Sequence, residues 1–91
     1  MTSKEMLRKI AVGEIHPQWQ CDGDGHHVGT GDTVWTRANV GFNNVGFNVV
    51  KATSSNIAGV EETLWVTDRA SGDTEQATCP PGYSWREMYE E

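Results

Sequence analysis

The sequence predicts a small α+β domain, in which an N-terminal helix and a short C-terminal helical turn accompany a small antiparallel sheet of three to four strands. Helix-capping sequences lie at both ends of the chain, and apolar residues between them alternate with polar ones at the period of a β-strand. The sequence Asn-Val-Gly-Phe also occurs twice, at 39–42 and 44–47. The length of 91 residues suits a single domain, 1–91, with a small hydrophobic core.

The N-terminal helix is predicted over about residues 3–12. Thr2 and Glu5 have the spacing of a capping box, in which the threonine is the N-cap. Apolar residues then recur at helical spacing, at Met6, Leu7, Ile10 and Ala11. Gly13 suits the left-handed position that ends many helices. Because the apolar stripe is narrow, we expect this helix to lie on the surface of the sheet.

A β-hairpin is predicted over about residues 34–53. Residues of one parity share a face of a strand, and the apolar residues are even-numbered up to Phe42 but odd-numbered from Val45 onward. A two-residue turn at Asn43-Asn44 accounts for this reversal, since asparagine tolerates the positive φ of a type I′ turn. The repeated Asn-Val-Gly-Phe is then explained as the two arms of one hairpin rather than as a repeat architecture.

The turn also fixes the register of the hairpin. Phe42 is predicted to lie opposite Val45, and Val40 opposite Phe47. The same register pairs Ala38 with Val49, Thr36 with Lys51, Asn39 with Asn48, and Gly41 with Gly46. It places five apolar side chains in the core, namely Val40, Phe42, Val45, Phe47 and Val49.

Two further strands are predicted to complete the sheet. The first spans about 60–67, where apolar and polar residues alternate, and a short one spans 74–78 after a polar turn. Trp65 lies on the less apolar side of its strand, so we expect it to pack under the N-terminal helix or a loop. By contrast, four glycines within 20–32 predict a Gly-rich loop there.

The C-terminal segment begins with a rigid connector, Cys79-Pro80-Pro81-Gly82. Ser84 and Glu87 then have the spacing of a second capping box. This pattern predicts a final turn or two of helix through Tyr89, although so short a helix is marginal in isolation and a frayed acidic tail is the alternative.

The charge balance narrows the classes of partner. Thirteen acidic and seven basic residues give a formal net charge of −6, which disfavours binding along a nucleic-acid backbone or to an anionic membrane. Another protein is the partner we expect, and the acidity permits a basic one. The sequence shows no apolar run of membrane-spanning length and no secretory signal, so we expect a cytoplasmic protein of bacterial or phage type.

One group of residues has the chemistry of a zinc site. Cys21, His26, His27 and Cys79 supply the sulfur and nitrogen ligands that Zn²⁺ prefers. Their spacing is not that of paired structural ligands, and adjacent histidines cannot easily bind one ion together. A Cys21–Cys79 disulfide and two free thiols are the alternatives, the disulfide being disfavoured in a reducing compartment.

A second group would share one face of the predicted hairpin. Trp35, Arg37, Asn39 and Asn48 alternate with the core residues, so they lie on the side opposite the core. An aromatic ring flanked by amides and a guanidinium can bind a sugar, a peptide or a base. The alternative is that the N-terminal helix covers this face.

No catalytic motif is present, so we expect a non-enzymatic protein. The pair Asp22 and Asp24 resembles the start of a calcium loop, but Thr33 stands where an EF-hand requires glutamate.

The sequence predicts a small acidic protein-interaction module, such as an inhibitor, an adaptor or a phage accessory protein. The alternatives are a zinc-stabilised module, a carbohydrate or small-ligand binder on the Trp35 face, and a structural subunit of an assembly. Exposed edge strands also allow a homodimer.

Overall fold

A computed structural model describes the backbone of residues 1–21, 26–28, 31–42 and 44–89, without the side chains of 21, 26–28, 31, 32 and 56. The chain is a two-layer α+β domain, in which helices lie on one antiparallel sheet. The helices are α1 (Ser3–Ala11) and α2 (Trp85–Tyr89). The strands are β1 (Gln20–Cys21), β2 (His26–Val28), β3 (Gly31–Phe42), β4 (Val45–Asn56), β5 (Gly59–Asp68) and β6 (Thr74–Cys79). This architecture confirms the predicted fold class.

Helix α1 forms where the capping box predicts it. The Glu5 amide donates a hydrogen bond to Thr2 Oγ1 at 3.2 Å, which satisfies one of the free amides of the first turn. Gly13 follows the helix with a φ of 81°, in the left-handed region that glycine adopts without strain. The helix buries Met6, Leu7 and Ile10 against the sheet.

The hairpin of β3 and β4 has the predicted register. Phe42 pairs with Val45, Val40 with Phe47, and the pairing continues through Ala38–Val49 and Thr36–Lys51. Asn44 has a φ of 66°, as a type I′ turn requires, whereas Asn43 lies outside the described residues. The ladder extends beyond the predicted 34–53 as far as Asp32 and Ser55.

The prediction of the hairpin core is correct for Phe47 and Val49, which are 0% and 1% exposed. Val40 and Val45 are half-buried beside them. Phe42, by contrast, is 40% exposed, so its assignment to the core is wrong. Helix α1 packs on β5 and β6, and Phe42 at the tip of the hairpin therefore lies beyond its cover.

Strands β5 and β6 confirm the two predicted strands and complete the sheet in the order β1-β3-β4-β5-β6, with β2 also pairing to β3. The apolar residues Leu64 and Val66 of β5 are buried under α1. Strand β6 ends at Cys79, directly before Pro80-Pro81.

The segment predicted as a Gly-rich loop, 20–32, contributes more to the sheet than expected. The short strands β1 and β2 pair with β3, and Gly31 already belongs to β3. These strands have only two and three residues, so they fit between the glycines without a periodic pattern of their own.

Helix α2 follows the second capping box. The Ser84 amide donates to Glu87 Oε2 at 3.4 Å, and the Glu87 amide donates to Ser84 Oγ at 3.2 Å, which is the reciprocal arrangement of this motif. Trp85 packs against the core cluster from this helix. Neither helix of the described chain is long and apolar enough to cross a membrane.

Candidate binding face of the sheet

One face of the sheet carries neither of the two described helices. Leu64 and Val66 of β5 are buried under α1, so the alternation of side chains places Trp65, between them, on the opposite side. Of the two expectations for Trp65, packing under the N-terminal helix is therefore wrong, and packing under a loop stays a prediction. We call this side the open face; the described residues that alternate onto it from β3 to β6 include Trp35, Arg37, Asn39, Asn48, Val50, Ala52, Glu61, Thr63, Trp65, Thr67, Thr74, Gln76 and Thr78.

Two tryptophans stack at the centre of the open face. The rings of Trp35 and Trp65 have centroids 5.5 Å apart and planes inclined by 18°. They come from β3 and β5 and close over β4, where Ala52 is 7% exposed. A small residue at this position lets the two rings meet. Trp65 Nε1 also donates a hydrogen bond to Gln76 Oε1 at 2.8 Å, which fixes the orientation of its ring.

Two pairs of hydrogen-bonded threonine hydroxyls also fix side chains on the open face. Thr63 Oγ1 and Thr78 Oγ1 lie 3.0 Å apart, and Thr67 Oγ1 and Thr74 Oγ1 lie 2.9 Å apart. Each pair spans β5 and β6, where the residues stand directly opposite each other. Such cross-strand hydrogen bonds hold the side chains in one conformation.

A groove lies beside the tryptophan pair. It has a volume of about 560 Å³, and its polar lining consists of Gln18, Gln20, Arg37, Asn39, Asn48 and Thr67. The groove follows from the register, since Gln20 pairs with Arg37 and Asn39 pairs with Asn48. Amide and guanidinium groups in such a groove can donate and accept hydrogen bonds with a polar ligand.

The structure thus brings the predicted ligand-face residues to one side of the sheet, although their role in binding stays a prediction. Trp35, Arg37, Asn39 and Asn48 all lie on the open face, and α1 does not cover it. The sequence reasoning missed Trp65 and Gln76, which the alternation of the 60–67 and 74–78 strands could have placed there. It also missed Gln18 and Gln20, for which no periodic signal exists.

The open face does not share the acidity of the whole chain. Among the described strand residues that alternate onto it, Arg37 and Glu61 are the charged ones. The side chain of Arg69 additionally lies near Gly46 at the hairpin end. The described strands therefore contribute one charge of each sign to this face.

Cys79 is a buried thiol on the other side of the sheet. It is 5% exposed and free of any disulfide, and its Sγ donates a hydrogen bond to the Tyr83 carbonyl oxygen at 3.1 Å. Burial, and then the carboxylates of Glu62 and Glu87, raise the pKa of the Cys79 thiol. Both effects favour the protonated form of the thiol.

The structure does not bring the four predicted zinc ligands together. Cys21 belongs to β1, and His26 and His27 belong to β2, both at the β3 edge of the sheet, whereas Cys79 ends β6 at the opposite edge. Three strands intervene, which at ~4.8 Å per step puts the Cys21 and Cys79 backbones roughly 19 Å apart. A disulfide needs Cα atoms within about 7 Å. Within the described side chains, no three His, Cys, Asp or Glu residues form a group that could hold a metal.

Comparisons of the chain with protein-family models, with curated proteins and with solved structures found no significant match.

Proposed function

We propose that the protein is a non-enzymatic protein-interaction module, and that the open face is its contact surface. The observation that carries this proposal is the stacked pair of Trp35 and Trp65, beside Arg37, on a sheet face that the described helices leave uncovered. Tryptophan and arginine are the residue types that most often dominate the binding energy of protein interfaces.

The size of the open face supports a protein partner. Strands β3 and β4 have 12 residues each and β5 has 10. At ~3.4 Å per residue and ~4.8 Å between strands, these three strands together with β6 present an area of roughly 600 Å². A typical stable interface covers about 800 Å² on each partner, so this face supplies most of the area required.

The open face is also ordered before any partner binds. Gln76 holds the Trp65 ring, and the threonine pairs hold one another. Side chains that are already fixed lose little conformational entropy on binding. The mixed charge of Arg37 and Glu61 permits a polar partner that need not be basic.

Site-specific photocrosslinking in cells that express the gene natively tests this proposal. A benzoyl-phenylalanine at Asn48, which is exposed on the open face, should give one discrete protein adduct. The same group at Lys4, exposed on α1, serves as the matched control. Arg37→Glu should abolish the Asn48 adduct, whereas Lys4→Glu should not. Adducts from Lys4 alone, or from neither position, would contradict the proposal.

A carbohydrate or other neutral polar ligand is the second candidate, because the groove beside the tryptophans is lined by four amide side chains. Sugar hydroxyls pair with amides and guanidinium groups, and sugar rings pack on tryptophan. A glycan array followed by calorimetry tests it. The double variant Asn39→Ala/Asn48→Ala should remove binding, while Thr78→Ala outside the groove should retain it. An array without hits excludes this candidate.

A further inference from the structure

A second concave site lies on the helix side of the sheet, away from the open face. It is a pocket of about 210 Å³ between α1, the segment that follows it, and α2. Its apolar wall includes Ile10, Ile15, Leu64, Trp19 and Trp85, and its polar wall consists of Lys51, Glu62 and His16. We call it the helix-side pocket. One apolar wall and one charged wall are the features of a site for a small amphipathic molecule.

Lys51 is the cation of this pocket. Its side chain is 25% exposed, and its Nζ lies 4.6 Å from the centroid of the Trp19 ring. Its ion-pair partner, Glu62 Oε2, is 4.0 Å away. The Lys51 ammonium donates no hydrogen bond to an acceptor within the described part of the chain. It can therefore donate its three N–H groups to a carboxylate from outside the protein.

Glu62 is the anion of the pocket, and the fold holds it in place. Its Oε1 accepts a hydrogen bond from Trp85 Nε1 at 3.2 Å, and its Oε2 accepts one from Thr53 Oγ1 at 3.4 Å. These contacts join β4, β5 and α2 through one carboxylate. They leave acceptor capacity on the oxygens, since an ionised carboxylate has about four lone-pair sites.

We propose that the helix-side pocket binds a free α-amino acid with an apolar side chain. An α-amino acid carries its carboxylate and its ammonium on a single carbon, and the pocket offers opposite charges only 4.0 Å apart, on Lys51 and Glu62. The ligand carboxylate would meet Lys51 and its ammonium would meet Glu62. The side chain then leaves the shared carbon toward the apolar wall.

Charge balance favours a zwitterion over a simple acid or a simple amine. Lys51 and Glu62 together carry no net charge, so a zwitterion leaves the pocket neutral. A carboxylic acid would add a second anion beside Glu62, and an amine would add a second cation beside Lys51. Like charges held this close in a partly desolvated site disfavour binding.

The experiment titrates ¹⁵N-labelled protein with L-phenylalanine, 3-phenylpropanoate and 2-phenylethylamine, and follows the four tryptophan indole N–H signals by NMR. The three probes share the phenylethyl skeleton and differ in whether it carries the carboxylate, the ammonium or both. We expect L-phenylalanine to shift Trp19 and Trp85 saturably, with affinity in the range of about 10 µM to about 1 mM. Trp35 and Trp65, on the open face, serve as internal controls and should not move.

Two variants test the proposed roles of the Lys51 and Glu62 charges in binding. Lys51→Met and Glu62→Gln should each weaken binding of L-phenylalanine about tenfold or more, as loss of a charge-assisted hydrogen bond does. The matched controls are Lys4→Met on the outer side of α1 and Glu61→Gln, which neighbours Glu62 on the opposite face. The comparison of the three probes on the unaltered protein decides the question even where a variant fails to fold.

Three outcomes would overturn the proposal. One is that L-phenylalanine at about 10 mM shifts neither Trp19 nor Trp85. Another is that 3-phenylpropanoate or 2-phenylethylamine binds as tightly as the amino acid. The last is that Lys51→Met and Glu62→Gln both fold and retain full affinity. None of these results bears on the open face, so the proposed protein interaction is tested separately.

Discussion

Ser3 Oγ donates a hydrogen bond to the backbone carbonyl oxygen of Asp73 at 2.8 Å, and it thereby joins the first turn of α1 to the turn between β5 and β6. Ser3 is only 1% exposed and is the buried polar residue of the described core. The contact links two segments that are distant in sequence, so it positions the helix along the sheet.

The Ser3→Ala variant should lower the free energy of unfolding by about 0.5–1.5 kcal/mol, because it removes this hydrogen bond while the Asp73 carbonyl keeps the Asp68 amide as a donor. Chemical denaturation followed by circular dichroism measures the change. The exposed Ser55 provides the matched control, and Ser55→Ala should stay within about 0.5 kcal/mol of the parent. Equal effects of the two substitutions would argue against a role for this hydrogen bond.

The tryptophan pair of the open face should contribute to stability as a unit. A double-mutant cycle with Trp35→Leu and Trp65→Leu should give a coupling energy of about 0.5–1.5 kcal/mol, the range for stacked aromatic pairs. Urea unfolding of the four proteins supplies the values. A coupling of zero would mean that the rings stack without stabilising each other.

Cys79 should make stability depend on alkaline pH. Burial raises the pKa of its thiol in the folded state, so its stabilising contribution is complete below the unfolded-state pKa and is lost as pH rises through the folded-state pKa. The Cys79→Ser variant keeps a donor for Tyr83 but does not titrate in this range. The free energy of unfolding of the parent, relative to that of this variant, should therefore fall as pH rises.

Comparison with the Ser variant also cancels the contribution of Tyr89, whose pKa burial raises as well. A difference that stays constant from neutral to alkaline pH would show that the Cys79 thiol does not titrate differently in the folded state.

The turn of the hairpin offers a prediction about backbone conformation. Asn44 has a φ of 66°, where a side chain other than that of asparagine or aspartate is strained. Asn44→Ala should destabilise the protein by about 1–2 kcal/mol, and Asn44→Gly should be neutral or stabilising. Thermal unfolding of both variants tests this, and a destabilising glycine would show that the asparagine side chain itself holds the turn.

The hairpin was predictable because the pattern that determines it lies in residues close together in the sequence. The reversal of apolar parity between Phe42 and Val45 determines both the turn and every pair of the register. The same alternation put Trp35, Arg37, Asn39 and Asn48 on one face without any knowledge of the third dimension.

The position of α1 was not predictable in this way. Which side of the sheet the helix covers depends on long-range contacts such as that of Ser3 with Asp73, and no periodic pattern encodes them. The error for Phe42 follows from this missing information, whereas the alternation of Trp65 with Leu64 and Val66 was already present in the sequence. Likewise, β1 has two residues, too few for any alternation to reveal that Gln18 and Gln20 border the groove.

The end of β6 has a consequence for self-association. An incoming strand could pair with this edge only along Thr74–Cys79, because Pro80 and Pro81 have no backbone N–H to offer beyond it. Six residues of polar and small side chains, closed by two prolines, make a poor template for continuous growth of a sheet. Growth of a fibril through the β6 edge is therefore not expected.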